Sequence, residues 1–107
     1  MAEQHRTEIR LAGSLTVATA EAVHGRLVEA MAKGGTIVVD CDDADAVDLS
    51  FVQLVVAARA AAEAKGAVLA LRSPASGSLL EALRRGGFLA GHDGGCGERR
   101  FWMKEGA

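Results

Sequence analysis

The chain has 107 residues, of which 50% are hydrophobic and 24% are charged, and its formal net charge is −2. This length fits one domain with one core, and the composition is far from that of a disordered chain. A slightly acidic balance argues against binding by phosphate neutralisation, so we expect no nucleic-acid partner.

No segment indicates export or membrane insertion. The longest apolar stretches, such as residues 54–58, have about five residues, whereas roughly 18 would indicate a membrane span. The first ten residues are mostly polar or charged and lack the apolar core of a signal peptide. Nothing suggests an oxidising compartment, so Cys41 and Cys96 are expected to be reduced thiols in a cytoplasmic protein.

A strand and a helix are the first predicted elements. Residues 7–11 read Thr-Glu-Ile-Arg-Leu and alternate with the period of a half-buried strand. Gly13 then predicts a turn, and Ser14 or Thr16 can cap the element that follows. Residues 17–33 carry apolar side chains at spacings of three and four, which predicts a helix that ends at a pair of glycines.

A second strand and helix follow in the same order. Residues 36–39 are a β-branched run, which is typical of a buried strand and compatible with a parallel sheet. Residues 50–65 predict a helix that is apolar on nearly all sides and therefore largely buried. Residues 67–71 predict a third strand, so strands and helices alternate as in an α/β sheet with right-handed crossovers.

The last third of the chain predicts one more helix and a tail. The helix is capped by Ser76 or Ser78 and closes at glycines after Arg85. Residues 91–107 form a loop-like tail in which residues 100–103 can add a final short strand. Trp102 lies either over the core or on the surface.

The joint Val47-Asp48-Leu49-Ser50 connects an acidic loop to the second helix. Oxygen atoms of Asp48 and Ser50 are suitable acceptors for the unpaired N–H groups of a first turn, where the helix dipole also favours negative charge. Capping therefore explains both residues. Phosphorylation of Ser50 is the alternative, because a dianion at a helix start is tolerated and changes the surface charge.

The segment VVDCDDADAVDLSFVQLVVAARAAAEAKGAVLAL resembles the STAS domain, the fold of anti-sigma factor antagonists and of the cytoplasmic tails of sulphate transporters. GSLTVATAEAVHGRLVEAMAKG and SPASGSLLEALRRGGFL resemble its first and last helices. The resemblance implies an α/β fold with one STAS-like domain over residues 1–107 and a core at about residues 7–89. It also implies a mostly parallel four- to five-stranded sheet with about three to four helices.

The STAS motif departs from its usual form in this sequence. Family members commonly read Asp-Ser-Ser-Gly or Asp-Thr-Ala-Gly. Here Asp48 matches the aspartate, but Leu49 stands where the phosphorylated Ser or Thr usually lies, Ser50 takes the second small position and Phe51 replaces the glycine. The resemblance therefore implies that Ser50 is a phosphoacceptor only for a kinase that accepts a shifted hydroxyl.

A partner-binding surface is predicted at the same joint. Leu49 and Phe51, beside Asp45 and Asp48, can form an apolar anchor with an acidic rim. The alternative for Phe51 is a place in the core. Gln53 belongs to a Val-Gln-Leu run that is similar to stand-alone STAS proteins of chemotaxis systems and, more distantly, to STAS subunits of lipid-transport ATPases.

Motifs for metal or catalysis do not assemble. Five aspartates lie between residues 40 and 48, but the spacing, glycine turn and closing glutamate of a calcium loop are missing. His92 and Cys96 are one pair, and zinc needs a second. There is no phosphate-binding loop and no Gly-x-Ser-x-Gly elbow. The sequence therefore predicts no enzyme, no catalytic residue, no metal and no cofactor.

Two functions follow from the resemblance. The first is an anti-sigma factor antagonist-like regulator in a partner-switching pathway, which binds a kinase-type anti-sigma factor and is controlled by phosphorylation near Ser50. The second is a constitutive, non-phosphorylated STAS subunit of a chemotaxis-linked or lipid-transport ATPase complex. In both, the chain is a non-catalytic protein-interaction module.

Overall fold

The computed structural model describes residues 6–89 and 101–104. Strands and helices alternate along most of the chain, so the predicted α/β class is confirmed. The elements are β1 (Arg6–Arg10), β2 (Gly13–Leu15), one turn of 3-10 helix (Val17–Thr19), α1 (Ala20–Lys33), β3 (Thr36–Asp40), β4 (Ala44–Val47), α2 (Leu49–Ala64), β5 (Val68–Leu71) and α3 (Gly77–Arg85).

Every strand pairing is parallel in the part of the chain that the structure describes. The main sheet has three strands in the order β1-β3-β5, with Ile9 opposite Val39 and Val39 opposite Leu71. A second sheet has two strands, β2 and β4. The mostly parallel sheet is therefore confirmed, and its five described strands divide into three and two.

Sequence patterns predicted the three strands of the main sheet and missed β2 and β4. Both missed strands are short, and β4 contains Asp45 within a segment that reads as an acidic loop. Pairing with each other stabilises them, and that pairing joins residues about 30 positions apart, which local patterns do not show.

Helices and main sheet enclose one hydrophobic core. Ile37 and Val39 of β3 are completely buried, as are Leu27 of α1 and Leu83 of α3. The expectation that α2 is buried on nearly all sides is wrong, because its alanines are small enough to be left on the surface at little cost. Its buried residues are Phe51, Val52, Val55, Ala58 and Ala62, and Ala57, Ala60, Ala61 and Ala64 are exposed.

The described part of the C-terminal tail is helical. Residues 101–103 form a helical turn, so the predicted final strand at residues 100–103 is wrong over these three positions. Trp102 is completely buried, so it lies in the core and not on the surface. The remaining tail, with His92 and Cys96, lies outside the described residues.

No helix within residues 6–89 or 101–104 is both long and apolar enough to cross a membrane.

Candidate protein-docking site

Asp48 caps the N-terminus of α2. Its backbone is extended, with φ −121° and ψ 178°, and Oδ1 accepts a hydrogen bond of 3.0 Å from the backbone N–H of Ser50. One of the four unpaired N–H groups of the first turn is thereby satisfied. The cap is thus Asp48 alone. The expectation that Ser50 starts the helix is wrong by one residue, since α2 begins at Leu49.

The same carboxylate reaches a second segment. Its Oδ2 accepts a hydrogen bond of 3.1 Å from the backbone N–H of Val17, and the Asp48 N–H donates to the carbonyl oxygen of Leu15 at 3.2 Å. Asp48 therefore ties the end of β2 and the 3-10 turn to the start of α2. As a result, Val17 and Leu49 are held beside one carboxylate.

Val17 and Leu49 are both exposed. Val17 is 72% exposed and Leu49 is 43% exposed, although both side chains are large and apolar. A single exposed apolar residue needs no explanation, whereas two of them beside one carboxylate make a candidate binding surface. We call Val17, Asp48 and Leu49 the docking patch.

The turn after α3 lies against the side chain of Leu49. A Cβ atom on Gly86 would lie 2.7 Å from Cδ2 of Leu49 and 2.9 Å from the ring of Phe88. The backbone of Gly86 has φ −85°, which any residue can adopt, so space and not conformation calls for glycine here. The position of Leu49 thus depends on the absence of a side chain at residue 86.

A groove lies between β4 and α3. The hydroxyl of Ser78 donates a hydrogen bond of 3.1 Å to the carbonyl oxygen of Asp45 and joins the two elements. The groove runs to Arg85, the residue before Gly86, and so adjoins the docking patch. It has a volume of about 460 Å³ and is lined by Ala46, Val47, Gly77, Ser78, Glu81 and Arg85.

A protein-family model described as "Mlab, STAS domain" matches residues 1–89. The chain belongs to the STAS domain family. The resemblance seen in the sequence is therefore confirmed. STAS domains are in general regulatory protein-interaction modules and are in general non-catalytic.

The fold is also found in a solved structure. It is described as "Crystal Structure Analysis of Mglu" and is similar with a TM-score of 0.59 and 22% sequence identity over 72% of this chain. The match spans 19% of that structure's chain, so this STAS domain corresponds to about a fifth of it. At this identity the likeness supports the fold alone. No curated protein matches the chain.

The predicted partner-binding residues of this STAS domain separate into surface and core. Asp45 and Gln53 are exposed, and Gln53 lies four residues after Leu49 on the same face of α2. Phe51 is only 2% exposed and packs in the core, which is the alternative to a place in the surface anchor. Leu49 is then the apolar side chain of the motif that faces solvent.

Two residues of the site were missed by sequence reasoning. Val17 was placed inside the first helix, but Thr16 and Thr19 cap each other's backbone N–H groups and close a separate turn that leaves Val17 outside α1. The two threonines at this spacing were the available signal. Gly86 was read only as a helix stop, and nothing local indicates its contact with Leu49.

The acidic segment before β4 is held by ion pairs and backbone groups. Asp40 is 8% exposed; its Oδ2 lies 3.3 Å from Nη1 of Arg72, and its Oδ1 accepts from the N–H of Asp42 at 3.0 Å. These contacts satisfy a carboxylate that would be costly to bury alone. Among the described residues, no group of three or more His, Cys, Asp or Glu side chains could hold a metal ion.

Cys41 follows Asp40 and is a free thiol. Burial, together with the charges of Asp40 and Asp42, raises the pKa of Cys41 from 9.0 to about 12. The thiolate, which is the reactive form, is therefore disfavoured at neutral pH. A nucleophilic or metal-binding role is not supported for this cysteine.

Proposed function

We propose that this STAS domain is a constitutive, non-catalytic docking subunit in the cytoplasm, whose protein partner binds at the docking patch without phosphorylation. The observation that carries the proposal is the 43% exposure of Leu49, an apolar side chain at the position where related motifs have a phosphorylated Ser or Thr. An exposed leucine there has no hydroxyl to modify and suits an apolar contact.

The geometry around Leu49 supports a preformed binding surface. Both oxygens of Asp48 already accept hydrogen bonds, from Val17 and Ser50, so this residue positions the patch. A patch fixed in this way loses little conformational freedom when a partner binds, which favours affinity. Asp45 is exposed on β4, three residues before Asp48, and is the acidic rim of the proposal. We therefore propose a partner with an apolar anchor and a neighbouring basic side chain.

The surroundings of Ser50 argue against control by a phosphate. Ser50 is half-buried, and its N–H lies 3.0 Å from an oxygen of Asp48. The residue directly after Asp48, where related motifs carry the phosphorylated hydroxyl, is Leu49. The partner class that fits best is therefore the constitutive one, a transport ATPase for lipids or a chemotaxis component.

A partner-switching regulator is the second candidate. It is favoured by the place of Ser50 in the first turn of α2, where the helix dipole stabilises an added negative charge. In that case a kinase-type anti-sigma factor is the partner. Two measurements separate the candidates. Only if switching operates does a cognate kinase shift the protein on a phosphate-affinity gel, and only then does Ser50→Asp release the partner.

The docking proposal is tested by placing the same new residue, aspartate, in the docking patch and on a second exposed surface. Val17→Asp and Leu49→Asp place a charge in the docking patch, and an acidic residue at position 49 is compatible with the helix start. Val28→Asp is the control, because Val28 on α1 is 44% exposed, nearly the same as Leu49.

The tagged chain is expressed in its native host, and copurified proteins are identified by mass spectrometry. We expect one transport or chemotaxis component to copurify with the wild type and with Val28→Asp, and its recovery to fall about tenfold or more with either patch variant. Equal recovery with Leu49→Asp and with the wild type would refute the proposal.

A further inference from the structure

The largest fully buried side chain of the described structure belongs to Trp102, which is 0% exposed. It lies beyond residues 1–89, the part of the chain that matches the STAS family. The core therefore contains a tryptophan that the family domain does not supply. We call residues 101–104 the C-terminal strap.

Backbone and side-chain hydrogen bonds attach the strap to the end of β5. The N–H of Ala75 donates to the carbonyl oxygen of Trp102 at 2.8 Å, and Nζ of Lys104 donates to the carbonyl oxygen of Leu71 at 3.1 Å. One side of the strap is thus fixed to the connection between β5 and α3.

The other side of the strap contacts α2. The guanidinium carbon of Arg59 lies 4.7 Å from the centroid of the Phe101 ring, within the range of a cation–π interaction. The rings of Phe101 and Trp102 meet edge to face, with centroids 4.9 Å apart and planes at 86°. The two adjacent aromatic residues therefore bridge α2 and the connection between β5 and α3.

We infer that the C-terminal strap is a cis ligand: it fills an aromatic-binding cleft of the STAS domain, bounded by Arg59, Leu71 and Ala75, and detaches as a unit before the domain unfolds. The strap is four residues long and is joined to Leu89 by residues 90–100, four of which are glycines. A short segment attached to a larger domain opens in a local equilibrium that is set by its own contacts.

Trp102 is the one tryptophan in the chain, so its fluorescence reports directly on the strap. In urea unfolding of the full chain, we expect the fluorescence midpoint to come at a lower denaturant concentration than the midpoint of far-UV circular dichroism. Coincident midpoints would show that the strap unfolds with the domain and would overturn the inference.

A pair of variants tests the contact with α2. Arg59→Gln removes the cation over Phe101 and also the 3.8 Å ion pair with Glu63. Glu63→Gln removes the ion pair alone. We expect Arg59→Gln to lower the fluorescence midpoint while the dichroism midpoint stays in place, and Glu63→Gln to move neither. Equal shifts of both midpoints in Arg59→Gln would contradict a separate strap.

The cleft itself is tested in trans. Trp102→Ala removes the indole that fills the cleft, and a synthetic peptide with the sequence Phe-Trp-Met-Lys supplies an indole in its place. We expect saturable binding, seen as a blue shift of the peptide fluorescence, and no shift with wild-type protein, whose cleft is occupied. If Trp102→Ala folds and leaves the peptide fluorescence unchanged, the cleft is not a binding site. If this variant does not fold, the inference is tested by the comparison of the fluorescence and dichroism midpoints of the wild type.

Discussion

The side chain of Leu49 occupies the space that a methyl group on Gly86 would need, with Cδ2 of the leucine 2.7 Å from the place of that carbon. The start of α2 and the turn after α3 therefore fit together because residue 86 has no side chain. Leu49 is 43% exposed, so its terminal methyls can move toward solvent without disturbing the core. A methyl added at residue 86 should thus change the docking patch more than it changes the stability of the fold.

Gly86→Ala tests this relationship. We expect the free energy of unfolding to change by less than about 1 kcal/mol, because the atoms that must give way belong to Leu49 and to the half-exposed Phe88. Partner copurification should fall severalfold. Gly25→Ala is the control: residue 25 lies in α1 with nothing within 4 Å of an added Cβ, so we expect about 0.5–1 kcal/mol of stabilisation and unchanged binding. A loss of binding in both variants would contradict the assignment of the patch.

Asp48 is expected to matter for stability as well as for docking. Asp48→Ala removes the acceptor for the N–H groups of both Ser50 and Val17, and loss of a cap costs about 0.5–2 kcal/mol. Asp48→Asn keeps one acceptor oxygen, so we expect it to retain about half of that stability. Urea denaturation followed by circular dichroism measures both. Equal stability of the alanine variant and the wild type would show that water replaces these bonds.

Sequence patterns were sufficient for the main sheet and the helices because burial imposes a regular spacing on them. β3 is a run of β-branched residues, and α1 places Val23, Leu27, Ala30 and Met31 on one face. β2 and β4 escaped detection, since each is stabilised mainly by the other. Residues 101–103 form a helical turn, whereas the sequence predicted a strand because aromatic residues have high β propensity. Contacts with Arg59, Leu71 and Ala75 determine the structure of this segment instead.

The site was predicted only where it depends on adjacent residues. Asp48, Leu49 and Ser50 are consecutive, and the sequence indicated a helix start with an acidic cap. The contact of Asp48 with Val17 and that of Leu49 with Gly86 join residues more than 30 positions apart. The burial of Phe51 depends on which way α2 faces, and an apolar helix does not specify its buried side by periodicity.

The pKa of Cys41 predicts a loss of stability in alkali. Its pKa is about 12 in the folded chain and 9.0 for an ordinary cysteine. Between these two values the unfolded chain loses the thiol proton while the folded chain keeps it, so the free energy of unfolding falls as pH rises above 9.0. The slope approaches about 1.4 kcal/mol per pH unit, and no effect of this thiol is expected below pH 8.

Cys41→Ala removes that slope and provides the control. The protein with Cys41 and the protein with Cys41→Ala both also carry Cys96→Ser, so that the thiol of Cys41 is the difference between them. Urea denaturation at pH 8 and pH 10.5 gives the free energies of unfolding, and the difference between the two pH values should be smaller in Cys41→Ala. Identical pH dependence in the two chains would show that the thiol of Cys41 is solvated.

Two arginines near the carboxyl ends of β1 and β5 should differ in their contribution to stability. Arg72 pairs with Asp40, a carboxylate that is 8% exposed, and also lies 3.6 Å from Glu8. Arg10 pairs with Asp43, and both side chains are well exposed, at 68% and 49%. A solvent-exposed ion pair adds little to the free energy of unfolding. Loss of the cation beside a buried carboxylate costs more, because it leaves a charge that the protein interior solvates poorly.

Arg72→Ala is therefore expected to lower the free energy of unfolding by about 1–2 kcal/mol, a moderate cost because Arg72 is itself 56% exposed and water can partly replace it. Arg10→Ala should have no measurable effect at 0.15 M salt, where surface pairs are screened. The double variant Arg72→Ala, Asp40→Asn should recover part of the loss, since it removes the charge that Arg72 neutralises. Asn at residue 40 keeps an oxygen that can accept from the N–H of Asp42, so the double variant changes the charge and not this hydrogen bond. If the double variant is less stable than Arg72→Ala alone, then the charge of Asp40 stabilises the fold without Arg72, and the contact between the two residues is incidental.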